Sequence, residues 1–159
     1  MTVTGYRLTK KRYHDQIFSG LGGLYAQGRW TYRGQPVVYT SQSISLAVLE
    51  YTLNYKRRGW VPASVLGRAT IPDQLPIESV KLGELPPNWS DPDSPDKLRD
   101  IGQEWLDRGA TVALKVPSAV VIEEWNFLLN PRHPDFKELT FGKIVAYHFD
   151  RRLVRSRKS

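Results

Sequence analysis

No cysteine occurs in the 159 residues, which removes disulfide frameworks and thiolate chemistry together. Histidine is scarce. His14, His133 and His148 lie far apart with no ligand-type spacing, His133 with Asp135 coming nearest to a cluster, so no metal centre is expected. No apolar run approaches the ~20 residues of a membrane-spanning helix, and the opening MTVTGYRLTKKRYHD lacks an apolar signal core. A cytoplasmic protein without a membrane role is the expectation. A G-x-S-x-G elbow and a phosphate-loop motif are also missing. The run Phe18-Ser19-Gly20-Leu21-Gly22-Gly23 only approaches a dinucleotide fingerprint, because Tyr25 stands where its third glycine would fall. Its glycines are expected instead to let the backbone pass close to Gly28-Arg29-Trp30.

What is present fits one globular domain. Apolar residues make up 40% and charged residues 25%, ordinary values for a chain able to bury its own core. The net charge of +7 suggests nucleic acid until it is located. Residues 151–159, RRLVRSRKS, carry five basic side chains and no acid, and without them the charge falls to +2. The chain therefore divides into a nearly neutral body, residues 1–150, and a basic tail, residues 151–159. Such a tail is solvated, or it meets an acidic partner surface or DNA held by a partner. A small basic ribonuclease would hold RNA phosphates with such a tail, but the body's low charge argues against one.

Taken in order, residues 5–9, 36–39, 64–70, 77–82, 111–116 and 142–149 read as strands, with Val120-Val121-Ile122 extended. Helices are expected from Ile44 to the Gly59 stop and from Ser94-Pro95-Asp96, with Ser94 as cap, to Gly109. In the second helix Leu98, Ile101, Trp105 and Leu106 form the core stripe. Between Leu85 and Pro95 the chain reads LPPNWSDPDSP, a proline-rich connector. Strands dominate with two helices intervening, so the class is α+β with a mostly antiparallel or mixed sheet.

One carboxylate stands out. In the first helix Ile44, Ala47, Val48, Tyr51 and Tyr55 share a face, and Leu46, Leu49 and Leu53 lie almost opposite. That predicts a mostly buried helix with a narrow wet stripe at Ser45, Thr52 and Lys56. Glu50 falls outside the stripe, where burial demands a partner or a purpose. The alternative is a helix-edge Glu50 paired with an arginine.

The sequence GRW at 28–30, then YTS at 39–41, then LAVLE at 46–50, resembles the RES-domain family, with VPSAV and NFLLNP at 116–120 and 126–131 extending the match to residues 6–145. The resemblance implies an NAD-consuming toxin of a RES–Xre type toxin–antitoxin pair, with a fold related to ADP-ribosyltransferases. It implies catalytic roles for Glu50, Arg29 and Tyr39, and substrate contacts for Arg7, Ser118, Trp30 and Asn130. Thr31 departs from the Asn that many members carry after the tryptophan. NAD would be substrate rather than cofactor, and cleavage of its nicotinamide–ribose bond passes through an oxocarbenium-like ribose that a carboxylate stabilises. Glu50 suits that role, Arg29 a pyrophosphate or carboxamide, and Tyr39 the nicotinamide face. Water, phosphate or a protein side chain remains open as acceptor, so ADP-ribosyl transfer stands as the alternative. The expected partner is an Xre-type antitoxin that covers the pocket and contacts DNA on the toxin's behalf.

Overall fold

In the computed structural model, which describes residues 2–153, the chain forms one eight-stranded sheet with two helices. The elements are β1 (Val3–Lys10), β2 (Val38–Ser41), α1 (Ile44–Leu53), β3 (Ser64–Ile71), β4 (Ile77–Ser79), α2 (Asp96–Arg108), β5 (Ala113–Pro117), β6 (Trp125–Leu129), β7 (Thr140–Phe141) and β8 (Val145–Tyr147). Short 3-10 turns fill several connections. The strand order is β4-β5-β6-β2-β1-β3-β7, with β8 also on β3. Every pairing is antiparallel except β4 with β5. The α+β class and the mixed, mainly antiparallel sheet are as expected.

The pairing is uneven, and that unevenness makes the site. β1 and β3 pair along eight positions, from Val3↔Ile71 to Lys10↔Ser64, and β2 pairs β6 along four. Between β1 and β2 there is one pair, Tyr6↔Ser41. The sheet is thus two well-laddered halves joined by a short seam.

Each half is covered by its own apolar set. α2 lays Leu98 and Trp105 against Trp30, Leu114, Val116 and Leu128. α1 lays Ala47 and Val48 against Leu8 and Leu66. A third cluster, with Val38, Ile71 and Leu129 among its members, draws in Phe18 and Phe136. The expected core stripe of α2 holds, although Ile101 and Leu106 are only partly buried.

Several expectations change. α1 is not buried on two sides: Leu49 and Leu53 are 41% and 51% exposed, because only the Ala47/Val48 side and Leu46 meet the protein. Helical structure stops at Leu53, and a turn carries the chain to Gly59, which does take the left-handed conformation. Ser43 caps α1 by accepting the Leu46 N–H. Ser94 does not cap α2; its hydroxyl accepts from Arg99 instead. Val120 and Ile122 are exposed in a turn rather than extended. β8 is shorter than residues 142–149, and the NFLLNP motif lies largely on a further strand, β6. Of the basic tail, Arg151–Leu153 forms a 3-10 turn with Arg152 paired to Asp150; the rest lies outside the described residues.

Glycine permits two close approaches. A Cβ on Gly23 would meet the Gln35 carbonyl at 2.1 Å, so the glycine loop runs against Gln35 and not against Gly28–Trp30 as expected. On α2, a Cβ at Gly102 would lie 1.7 Å from the Trp30 carbonyl oxygen. The helix therefore rests directly on backbone.

Substituting Gly102→Ala should destabilise the protein by about 1–3 kcal/mol in denaturant titration, the scale of core overpacking, despite alanine's better helix propensity. Gly83→Ala, where a Cβ meets nothing within 4 Å, should stay within about 0.5 kcal/mol of wild type.

Candidate active site

Where the seam ends, a cleft of about 320 Å³ opens between the halves. Arg7 from β1 and Tyr39 from β2 line it, with Glu50 and Tyr51 from α1 and Asn126 from β6. The Arg7 guanidinium donates through Nη1 to the Tyr39 carbonyl at 3.1 Å, a side chain crossing where no ladder continues.

Glu50 is the centre of the polar network. Its Oε1 accepts from Ser118 Oγ and from Asn126 Nδ2, each at 2.8 Å. Ser118 is fully buried at the end of β5, and its Oγ also accepts the N–H groups of Val120 and Val121 at 3.1 Å. With both acceptor sites of the hydroxyl occupied, its single proton is directed to Glu50. Oε2 has no protein donor among the described residues. A carboxylate only accepts, so the Asn126 amide must present its NH₂ to Glu50, which fixes Oδ1 as an acceptor directed elsewhere.

Among the described residues two buried polar atoms have no protein partner: that Asn126 Oδ1 and Arg7 Nε. Both belong to residues lining the cleft. Each is shielded from solvent, and an unpaired polar group so buried costs about 1–3 kcal/mol. Burial lowers the Arg7 pKa, with the Tyr51 hydroxyl opposing. An arginine still keeps its charge.

Arg29 holds the rim. Its Nη1 donates to the carbonyls of Trp89 and Asp91, at 3.1 and 2.8 Å, leaving Nε–H and Nη2 without a protein acceptor among the described residues. Partial desolvation lowers its pKa; the Glu50 charge opposes that and the Arg99 charge adds to it. The Leu85–Pro95 stretch thus anchors a site arginine and is more than a connector.

The Tyr39 hydroxyl is committed to the protein. It accepts from the Trp30 N–H at 3.2 Å and shares a 2.7 Å hydrogen bond with Thr31 Oγ1. Burial pushes its pKa up to about 12, partly opposed by those two bonds. Tyr39 therefore offers the cleft a ring and no titratable group at neutral pH. Thr31 is buried and holds Tyr39.

The structure thus brings Arg7, Arg29, Tyr39, Glu50 and Ser118 into one region and leaves two expected contacts outside it. Trp30 is 2% exposed in the core, where it packs with Leu98 and Trp105, because its large apolar side chain is what α2 covers. Asn130 follows β6, accepts the Arg132 N–H and borders a separate hollow with Gln35 and His133. Asn126 stands in the cleft in its place. The NFLLNP signature contained both asparagines, and only the β2–β6 register, Ser41↔Asn126, distinguishes them. Arg99, buried with bonds to Ser94, Asp96 and the Gly28 carbonyl, gave no sequence signal beyond an unexceptional helix position. Among the described residues no group of three or more metal-ligating side chains occurs, and no helix is long and apolar enough to cross a membrane.

Comparison with known proteins gives this geometry a family. The chain is 35% identical over 154 residues to "Toxin Res" of Photorhabdus laumondii, covering 96% of this chain and 98% of the relative. It is 31% identical over 159 residues to the "Prs ADP-ribosylating toxin" of a Sphingobium strain, covering 98% and 99%. Its fold matches a chain from the crystal structure of the M. tuberculosis MbcT–MbcA toxin–antitoxin complex with a TM-score of 0.75 at 15% identity, over 92% of this chain and 85% of that one. The RES domain model matches residues 4–150, the body without the basic tail, and the chain belongs to the RES domain family.

Proposed function

We propose that this protein is the toxin of a toxin–antitoxin pair and that it cleaves the nicotinamide–ribose bond of NAD. The observation that carries the reading is Glu50: one oxygen held by Ser118 and Asn126, the other without a protein partner among the described residues, in a cleft rimmed by Arg29. The names of the relatives and of the structural neighbour support the toxin role.

In this mechanism the C1′–N bond breaks and its electron pair leaves with the nicotinamide nitrogen, neutralising the pyridinium. Positive charge develops on the ribose ring, and Glu50 stabilises it while its free Oε2 accepts a ribose hydroxyl. Ser118 is a positioning residue here, since its proton already goes to Glu50. Arg29 directs its free Nε–H and Nη2 at a phosphate oxygen. Tyr39 offers its ring to the cationic nicotinamide. The acceptor then bonds to C1′, water giving ADP-ribose and phosphate giving its 1-phosphate. A protein side chain is the second reading, favoured by the relative named an ADP-ribosylating toxin. None of the three histidines lines the cleft, which leaves a ribonuclease reading without its usual acid–base pair.

A cytoplasmic toxin of this kind needs restraint, and the proposed partner is an Xre-type antitoxin that covers the cleft and brings DNA near it. The guanidinium donors of Arg29 at the cleft rim suit an acidic or terminal carboxylate group of such a partner.

Three outcomes are expected. Purified protein incubated with NAD should release nicotinamide, and mass analysis with and without phosphate should identify the acceptor. Intact NAD after prolonged incubation would overturn the reading. Glu50→Gln should fold normally and lose about two orders of magnitude or more in turnover; near-wild-type kcat would remove Glu50 from the mechanism. Tyr39→Phe should keep most turnover yet lose about 1–3 kcal/mol of stability, because the Trp30 N–H is left unpaired. The raised phenol pKa stabilises the fold below pH 10, and that contribution is lost as pH rises toward 12. The alkaline loss of stability should therefore be shallower in Tyr39→Phe.

A further inference from the structure

The cleft around Glu50 is small for a whole dinucleotide. Pockets for compact organic ligands span about 300–1,000 Å³, and 320 Å³ lies at the bottom of that range. That volume suits a nicotinamide riboside half. The remainder of the substrate needs a second place, and the fold provides one.

A second hollow, of about 430 Å³, shares Gly28 and Arg29 with the cleft. Its other walls come from Gln27 on one side and from Pro92, Asp93, Ser94 and Arg99 on the other. Arg29 therefore stands at the junction of two compartments. Its Nη1 is anchored to the Trp89 and Asp91 carbonyls, and Nε–H and Nη2 have no protein acceptor among the described residues. A dinucleotide has the same layout: two nucleosides on either side of a pyrophosphate.

The second hollow is built, not incidental. Arg99 is buried with its N–H groups accepted by Ser94, Asp96 and the Gly28 carbonyl, so it fixes the wall, with its charge balanced by Asp96. Asp93 has no hydrogen bond or ion pair among the described residues and offers an acceptor for sugar hydroxyls. Gln27 offers an exposed amide, able to donate and accept at a base edge.

We propose that the adenylate half of the substrate occupies this second hollow, with the pyrophosphate crossing at Arg29. The inference rests on the NAD-cleavage reading and adds to it a subsite and a substrate requirement. The protein should discriminate for a dinucleotide over a mononucleotide that carries the same scissile bond.

The test compares NAD with nicotinamide mononucleotide, which lacks the adenylate half. Wild-type protein should cleave the mononucleotide with kcat/KM about tenfold or more below that for NAD. Filling the hollow from opposite walls, with Gln27→Trp and separately with Asp93→Trp, should raise the KM for NAD about tenfold and leave the mononucleotide's KM unchanged. AMP should inhibit NAD cleavage competitively in wild type and lose potency in both variants. Equal efficiency on the two substrates, or variants that leave the NAD KM and AMP inhibition untouched, would overturn the second hollow while NAD cleavage stands. Cleavage of neither compound by wild-type protein would overturn the NAD reading and this subsite together.

Discussion

One hydrogen-bonded carboxylate ties the site together. Glu50 sits on α1, Ser118 follows β5 and Asn126 lies on β6, so its Oε1 draws three distant segments to one point. Ser118 in turn accepts two N–H groups from its own turn, so the 118–121 backbone is set by the atom that sets Glu50. Such a network fixes one orientation of the acid, because either partner's loss would leave buried groups unsatisfied. Pre-organisation of this sort is what lets a carboxylate act on developing charge without rearranging first.

The sheet supplies the space for that chemistry by failing to pair. β1 is laddered fully to β3 and β2 to β6, while the two strands meet each other only at Tyr6↔Ser41. Arg7 bridges the gap with its side chain. An open seam inside a sheet ordinarily leaves backbone groups wanting partners; here the protein places a cleft at that point. Two buried polar atoms of the same region, Arg7 Nε and Asn126 Oδ1, have no hydrogen-bond partner among the described residues.

Much of this was legible in the sequence, for reasons that can be named. The α2 boundaries followed from Pro95 and Gly109, and its core from Leu98 and Trp105. Glu50 was visible because helical phase put an acid off the wet stripe. The misses share a different cause: they depend on tertiary neighbours. Leu49 and Leu53 have the right period for burial, yet nothing among the described residues covers them. Trp30 and Asn130 sat in the right motifs, and only packing and strand register separated a core tryptophan and a turn asparagine from the cleft residue Asn126. Ser94 had the chemistry of a cap, but Arg99 claimed its hydroxyl.

The contact at Gly102 has a genetic consequence. α2 rests on the Trp30 carbonyl; the Trp30 amide holds the Tyr39 hydroxyl; the Tyr39 carbonyl holds Arg7. A helix in the far half of the core is thus linked by three successive contacts to the floor of the cleft. Selection acting on this protein's activity sees a target wider than the cleft's lining, and a silent-looking glycine inside a helix belongs to it.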